Sequence, residues 1–194
     1  MDTNLHFSAL VVREDQNGQF QRAVVERQLS DLPDNEVLVR VRYSSLNYKD
    51  ALSATGNRGV TRNYPHTPGI DAVGTVVAST DRNWQAGDEV LCTGYDLGMN
   101  TSGGFGQYIR VPGSWLVRRP ETLAPMDCMR LGTAGYTAAL CVLGLQDNGV
   151  LPGRGPVLVT GATGGVGSIA LLLLHRIGYK AVAVTGKESA HAYL

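Results

Sequence analysis

The sequence predicts a mixed fold, in which a β-rich first domain is followed by the beginning of a parallel α/β domain. Two observations support this. Up to residue 124 the chain alternates short apolar runs with turns that contain glycine or proline, which is typical of small barrel-like β domains. After Pro125 the pattern becomes helical, and an apolar strand, a glycine-rich turn and another helix follow. We place the boundary near Pro125, which gives domains of 1–124 and 125–194.

The first domain contains a series of predicted short strands. Residues 37–43 alternate in character, which predicts a half-buried strand. One face carries Val37, Val39, Val41 and Tyr43, and the other carries Leu38, Arg40 and Arg42. Further strands are predicted at 9–12, 73–79, 89–92, 107–111 and 115–117, with a short helix at 48–54.

The second domain begins with helical segments at 126–131 and 136–143, which a glycine-containing break separates. An apolar strand starting at Val157 then enters a glycine-rich turn. The helix that leaves this turn is expected to run from 165 to 177, because Gly178 stands where a C-terminal capping glycine belongs. Residues 181–184 predict a second, buried parallel strand.

The order of strand, glycine turn and helix predicts a dinucleotide-binding loop. Glycines allow the backbone to approach a pyrophosphate, and the unpaired N–H groups at a helix N-terminus attract its charge. Ala162 stands where the strict pattern has its first glycine, so an ordinary tight strand-to-helix turn remains the alternative. The predicted cofactor-binding residues of the loop are Ala162, Thr163, Gly164, Gly165, Val166 and Gly167.

The end of the second strand indicates which cofactor is bound. NAD is recognised there by an acidic residue on the ribose 2′-hydroxyl, whereas a 2′-phosphate needs hydroxyl groups and a cation. The strand ends in Thr185, Gly186 and Lys187, which predicts NADPH rather than NADH. Two alternatives stay open: Lys187 could be an ordinary surface lysine, and Glu188 could turn toward the ribose.

Composition excludes several classes of function. Lys and Arg together number 17, as do Asp and Glu, so bulk charge gives no indication of nucleic-acid or membrane-surface binding. The longest apolar run, 169–174, is too short to cross a bilayer, and the N-terminus lacks a signal-peptide pattern. Three widely spaced cysteines predict neither a disulfide framework nor a cysteine-based zinc site. A cytoplasmic protein is expected.

Several separated segments together resemble a known family. The segments are Ser44–Ala51, Pro68–Gly74, Gly87–Val90, Gly132–Ala138, the glycine loop and Thr185–Ser189. In this order they resemble the zinc-free quinone-oxidoreductase branch of the medium-chain dehydrogenases/reductases, and more narrowly the acrylyl-CoA reductases of the YhdH/YhfP family. The resemblance implies a GroES-like, β-barrel-type catalytic domain followed by the first βαβ part of a Rossmann domain. It also implies a homodimer at native length.

The resemblance also bears on metal binding. Zinc-dependent relatives place a cysteine where this chain has Asn47 and a His-Glu pair where it has Ile70 and Asp71. Neither Asn47 nor Ile70 is a plausible zinc ligand, so no metal is expected. Asp71 is expected to be a structural carboxylate rather than a ligand.

The implied reaction is the transfer of a hydride from NADPH to the C=C bond of an α,β-unsaturated CoA thioester, which converts acryloyl-CoA to propionyl-CoA. Three residues of the polar cluster at the expected strand-to-helix junction are the catalytic candidates: Asn47, Tyr48 and Asp50. Tyr48 is predicted to contact the cofactor and donate a proton, and Asn47 to orient the reactants. A half-buried Tyr48 with a satisfied hydroxyl group is the alternative. Asp50 could instead cap the helix or pair with Lys49 or Arg58.

Other functions stay open. A broad NADPH:quinone or enone oxidoreductase would use the same residues, and a protein of another class would bind the nucleotide without catalysis. A complete Rossmann fold needs two βαβαβ halves, and the sequence ends early in a second helix. The sequence is therefore expected to be a fragment of a longer protein, and as a fragment it could be inactive.

Overall fold

The computed structural model describes residues 5–194 and divides the chain into two compact units. The first unit runs up to Arg130, and the second comprises Leu131–Leu194. The first is an antiparallel β structure with one short helix, and the second contains two parallel strands and α-helices. This confirms the predicted fold class, in which a β-barrel-type domain precedes part of a parallel α/β domain.

The strands of the first unit form one sheet and one hairpin. The sheet has the order β6-β3-β4-β5-β7 with antiparallel neighbours, and β1 pairs with β2 in the hairpin. The bounds are β1 His6–Glu14, β2 Phe20–Gln28, β3 Val37–Tyr43, α1 Tyr48–Ala54, β4 Asp71–Ser79, β5 Glu89–Thr93, β6 Tyr108–Val111 and β7 Leu116–Arg118.

The hairpin explains one departure from the predicted pattern. Leu38 was expected on the open face of β3, but it is buried among Phe7, Ala9 and Leu29. The hairpin reaches the rest of the unit through bridges from Ala9 to Gly106 and from Val12 to His66. Its first strand thereby supplies apolar cover for a second face of β3, so the start of β3 is buried on both faces.

Strand β2 was not predicted from the sequence. Its residues, FQRAVVERQ, are mostly polar and exposed, so they show no apolar alternation. The strand exists because all nine of its residues pair in register with β1. Pairing of this kind is a tertiary property that a local sequence pattern does not reveal.

A glycine-dense segment, 94–106, packs directly against the backbone of residues 67–70. Backbone hydrogen bonds connect Gly103 N to Thr67 O at 2.8 Å and Gly104 N to Gly69 O at 2.8 Å. Gly69 has φ +110°, and a Cβ there would lie 2.6 Å from the backbone nitrogen of Phe105. Glycine is required because any side chain would force the two segments apart.

The second unit contains two helices and two strands. Their bounds are α2 Pro125–Asp147, which begins in the first unit, β8 Val157–Thr160, α3 Gly165–Arg176 and β9 Ala181–Val184. Strands β8 and β9 pair in parallel, and Val142, Leu174 and Tyr179 form the buried core beside them. The prediction of a buried second strand is wrong, since Val182, Ala183 and Val184 are exposed. Among the described residues, few elements pack against this two-stranded sheet.

Helix α2 is interrupted at one residue. Gly132 has non-helical backbone angles, φ 49° and ψ −152°, which confirms the predicted break at that position. By length and composition alone, the 23-residue α2 passes the test for a membrane span. Core helices of globular proteins pass the same test, and the bend at Gly132 falls inside this helix.

Candidate cofactor and substrate site

Asp50 connects the start of α1 to the loop before β4. Its Oδ1 accepts hydrogen bonds from Gly69 N at 3.1 Å and Ile70 N at 2.9 Å, and its Oδ2 accepts one from Asn47 N at 2.8 Å. The residue is only 2 % exposed, and burial raises the pKa of its carboxyl group. Arg58 pairs with Glu14 instead. The geometry favours the capping alternative for Asp50 over contact with a substrate.

Asn47 is held by a second buried carboxylate. It is the N-cap residue of α1, and its Nδ2 donates a hydrogen bond of 2.9 Å to Asp71 Oδ2. Ser45 Oγ donates to the same carboxylate oxygen at 2.9 Å. Asp71 is fully buried at the first position of β4. The hydrogen bond to Asp71 therefore fixes the side chain of Asn47, as an orienting residue requires.

Tyr48 lies at the surface, directly after Asn47. Its side chain is 80 % exposed, and its hydroxyl group forms no hydrogen bond with any residue that the structure describes. The alternative of a half-buried tyrosine with a satisfied hydroxyl does not match this geometry. Leu46, on the other side of Asn47, is 88 % exposed. The segment thus presents two uncovered side chains on either side of a rigidly held amide.

The glycine loop has the geometry of an anion-binding turn. Helix α3 begins at Gly165 after the N-cap residue Gly164, and Gly164, Gly165 and Val166 are exposed. The first N–H groups of an α-helix have no partner within the helix. Gly167 is buried, and a Cβ there would lie 2.4 Å from Gly161 O, so glycine permits close packing of α3 on the end of β8.

Other predicted cofactor residues meet beside this loop. Thr163 Oγ1 lies 3.5 Å from Thr185 Oγ1, and Lys187 N donates to Thr185 Oγ1 at 3.1 Å. Ala162 is fully buried, and its N–H bonds to Val184 O at 3.1 Å, so its role here is to hold the loop on β9. Gly186 and Lys187 are exposed, and Lys187 forms no ion pair within residues 5–194.

No metal-binding group is found in the described part of the chain. Three or more His, Cys, Asp or Glu side chains do not cluster anywhere within it. His66 is buried, and burial lowers its pKa. All three cysteines are free.

The sequence did not identify every residue of this site. Ser45 and Leu46 were not singled out, because a serine and a leucine before a helix have no distinctive chemistry of their own. The only available signal was their position inside the segment Ser44–Ala51. Ser45 matters because it shares a carboxylate oxygen with Asn47, and Leu46 because it is uncovered.

Comparison with known proteins defines the class. Residues 33–121 match the alcohol dehydrogenase GroES-like domain. The chain is similar to the medium-chain dehydrogenases/reductases, and in particular to the proteins named AcuI, YhdH and YhfP.

Three relatives show how similar the sequences are. The chain is 51 % identical over 93 % of its length to an Escherichia coli protein named "Probable acrylyl-CoA reductase AcuI", of which it covers 56 %. It is 48 % identical over 97 % of its length to the acrylyl-CoA reductase AcuI of Ruegeria pomeroyi, of which it covers 57 %. It is 51 % identical over 84 % of its length to YhfP of Bacillus subtilis, named as a quinone oxidoreductase, of which it covers 50 %. The chain thus spans about half the length of these curated relatives.

Solved structures of two related proteins have the same fold as this chain over most of its length. The YhdH oxidoreductase from Salmonella enterica in complex with NADP has a TM-score of 0.92 and 49 % identity, covering 96 % of this chain and 57 % of that one. The Bacillus subtilis protein YhfP with NAD bound has a TM-score of 0.93 and 45 % identity, covering 98 % of this chain and 57 % of that one.

The contacts of Asp50 generate a stability prediction. Asp50→Asn replaces one acceptor oxygen with an NH₂ group, which would face a backbone N–H. We expect a loss of about 1–3 kcal/mol in the free energy of unfolding, the usual cost of a buried unpaired donor. Urea denaturation of the two proteins measures it. Asp34→Asn is the control, because Asp34 is exposed.

The difference in the free energy of unfolding between the wild type and Asp50→Asn should depend on pH. Burial raises the pKa of Asp50 in the folded state above its value in the unfolded state. Protonation of Asp50 therefore favours the folded state, fully so below the unfolded-state pKa. This contribution is lost as the pH rises through the folded-state pKa. The variant has no such group. The gap between the two proteins should therefore widen as the pH is lowered, and a constant gap would contradict the assignment.

Proposed function

We propose that the complete protein is an NADPH-dependent reductase that transfers a hydride to the C=C bond of an α,β-unsaturated CoA thioester, converting acryloyl-CoA to propionyl-CoA. The supporting observation is the combination of an exposed Tyr48 beside a fixed Asn47 with the glycine loop and Thr185. The names of the AcuI relatives support the choice of acceptor.

The residues of this chain fit a nicotinamide dinucleotide. The exposed backbone at Gly164–Val166 leaves space for a pyrophosphate, and the N-terminus of α3 supplies N–H groups for it. When bound, the nicotinamide supplies the hydride. Thr185 Oγ1 accepts a hydrogen bond from Lys187 N and lies 3.5 Å from Thr163 Oγ1, so these two hydroxyl groups can donate to a phosphate oxygen placed beside them. Lys187 adds a positive charge at the same place.

The chemistry of the acceptor assigns the remaining roles. When a hydride attacks the β-carbon of the thioester, negative charge develops on the carbonyl oxygen and the α-carbon needs a proton. Tyr48 carries a phenol O–H that no described residue engages, so it is available to donate that proton. Asn47 orients the reactants through its fixed side chain.

A second candidate function is an NADPH:quinone or enone oxidoreductase. The name of YhfP supports it. Both functions use the same cofactor loop and the same Tyr48. Location in the cytoplasm and homodimer formation at native length are part of the proposal, and the free cysteines agree with a reducing compartment.

The first test is NADPH oxidation by the purified product of the complete gene, with acryloyl-CoA and a simple quinone measured side by side. Rapid loss of NADPH absorbance with acryloyl-CoA alone is the expected result, because the thioester carbonyl activates its C=C bond. Oxidation with the quinone alone would move the protein to the second function. Tight NADPH binding without turnover of either compound would indicate a non-catalytic nucleotide-binding protein.

Cofactor preference is tested at Lys187. Lys187→Ala should weaken NADPH binding by about tenfold, or about 1.4 kcal/mol, and leave NADH binding nearly unchanged, since only NADPH carries the 2′-phosphate. Fluorescence titration with both nucleotides measures the ratio. Lys180→Ala is the matched control, an exposed lysine at the other end of β9. An unchanged ratio in Lys187→Ala would refute the role of this lysine.

Proton donation is tested at Tyr48. Tyr48→Phe should lower kcat by about 100-fold or more, the usual contribution of a general acid, while the fold is retained because the hydroxyl has no partner among the described residues. Tyr43→Phe serves as control, since Tyr43 is an exposed tyrosine at the end of β3. Full turnover in Tyr48→Phe would remove Tyr48 from the mechanism.

A further inference from the structure

We infer that Asp71 is a positioning residue for the proposed reductase reaction, acting through the side-chain amide of Asn47. The inference rests on the proposed function. It starts from the position of Asp71, which is fully buried at the first residue of β4, where it pairs with Thr93 of β5. A hydrogen bond from Ser44 Oγ to its backbone oxygen, 2.6 Å long, holds the same residue. The backbone that carries this carboxylate is therefore held in place on both sides.

A carboxylate fixes the direction of a neighbouring amide. The nitrogen of the Asn47 side-chain amide faces Asp71, since Nδ2 donates a hydrogen bond of 2.9 Å to Asp71 Oδ2. The amide oxygen is consequently turned away from Asp71. The capping box at the start of α1 supports the same direction, because the Asn47 side chain also accepts a hydrogen bond from the backbone N–H of Asp50.

The fixed amide stands where a ligand would be recognised. Its neighbours along the chain, Leu46 and Tyr48, are both largely exposed, whereas Asn47 itself is half-buried. The backbone N–H of Asn47 is held separately by Asp50 Oδ2 at 2.8 Å. Asp50 Oδ2 thus holds the main chain of Asn47, and Asp71 Oδ2 accepts the hydrogen bond of its side-chain nitrogen.

Three variants distinguish positioning from simple packing. Asp71→Asn keeps the size and an acceptor oxygen but replaces the carboxylate with a neutral amide, so kcat should fall by less than in Asp71→Ala. Asp71→Ala leaves Asn47 Nδ2 without its acceptor, so kcat per folded molecule should fall tenfold or more. Ser79→Ala is the control, because it removes a serine hydroxyl at the opposite end of β4, where it bonds to Asp81 and not to Asp71 or Asn47. It should retain wild-type kcat.

Activity is measured with the full-length gene product as NADPH oxidation, corrected for the folded fraction by circular dichroism. The side-chain NH₂ signals of Asn47 are followed in ¹⁵N-labelled protein and assigned by their loss in Asn47→Ser. The signals should shift in Asp71→Ala and stay in place in Ser79→Ala.

Two results would overturn the inference. One is an Asp71→Ala protein whose kcat per folded molecule equals that of the wild type. The other is an Asn47 NH₂ signal that does not respond to Asp71→Ala, which decides the question even without turnover. Failure of the wild type to oxidise NADPH with either acceptor is a different result, since it defeats the proposed function itself.

Discussion

The candidate site depends on two buried carboxylates that hold backbone and amide groups in place. Asp50 binds the N–H groups of Gly69 and Ile70 and that of Asn47, and Asp71 binds Asn47 and Ser45. Burying an ionised carboxylate is costly unless hydrogen bonds compensate it, so each of these groups needs several donors. Apart from the nearby N–H of Asn47 on Asp50, these donors are 19 to 26 residues away in sequence from the carboxylate that accepts them. The start of α1 is therefore locked to the start of β4.

The hydrogen bonds of Asp50 hold α1 in place only if the segment that carries Gly69 and Ile70 is itself fixed. The glycine-dense segment 94–106 fixes it, because the backbone N–H groups of Gly103 and Gly104 donate hydrogen bonds to the backbone of this segment. Close approach of two backbones is possible only where side chains are absent, which explains the density of glycine in this segment. Glycine thus serves two different purposes in the chain. Here it permits packing of backbone on backbone, and at Gly164–Gly165 it leaves an exposed surface at a helix N-terminus.

Much of the fold could be predicted because local patterns were strong. Strand β3 and helix α1 have the predicted bounds, and α2 breaks at Gly132 as expected. Strand β2 was missed because a polar strand owes its existence to its partner, β1. Leu38 was placed on the wrong face because only the packed hairpin covers it. The predicted burial of β9 failed for a related reason: apolar residues mark a strand, but burial depends on the elements that pack against it.

The sequence by itself determined the chemistry that is present: a glycine loop between a strand and a helix, a threonine and lysine after the next strand, and a polar cluster at a strand-to-helix junction. Periodicity and residue type are local properties, so a single sequence reveals them. Only the tertiary structure decided the roles within that cluster. It left Tyr48 exposed and buried Asp50 as a cap, and it brought Asp71, 24 residues away, onto the amide of Asn47. Such assignments depend on contacts between distant segments, which chain folding creates and which local pattern does not encode.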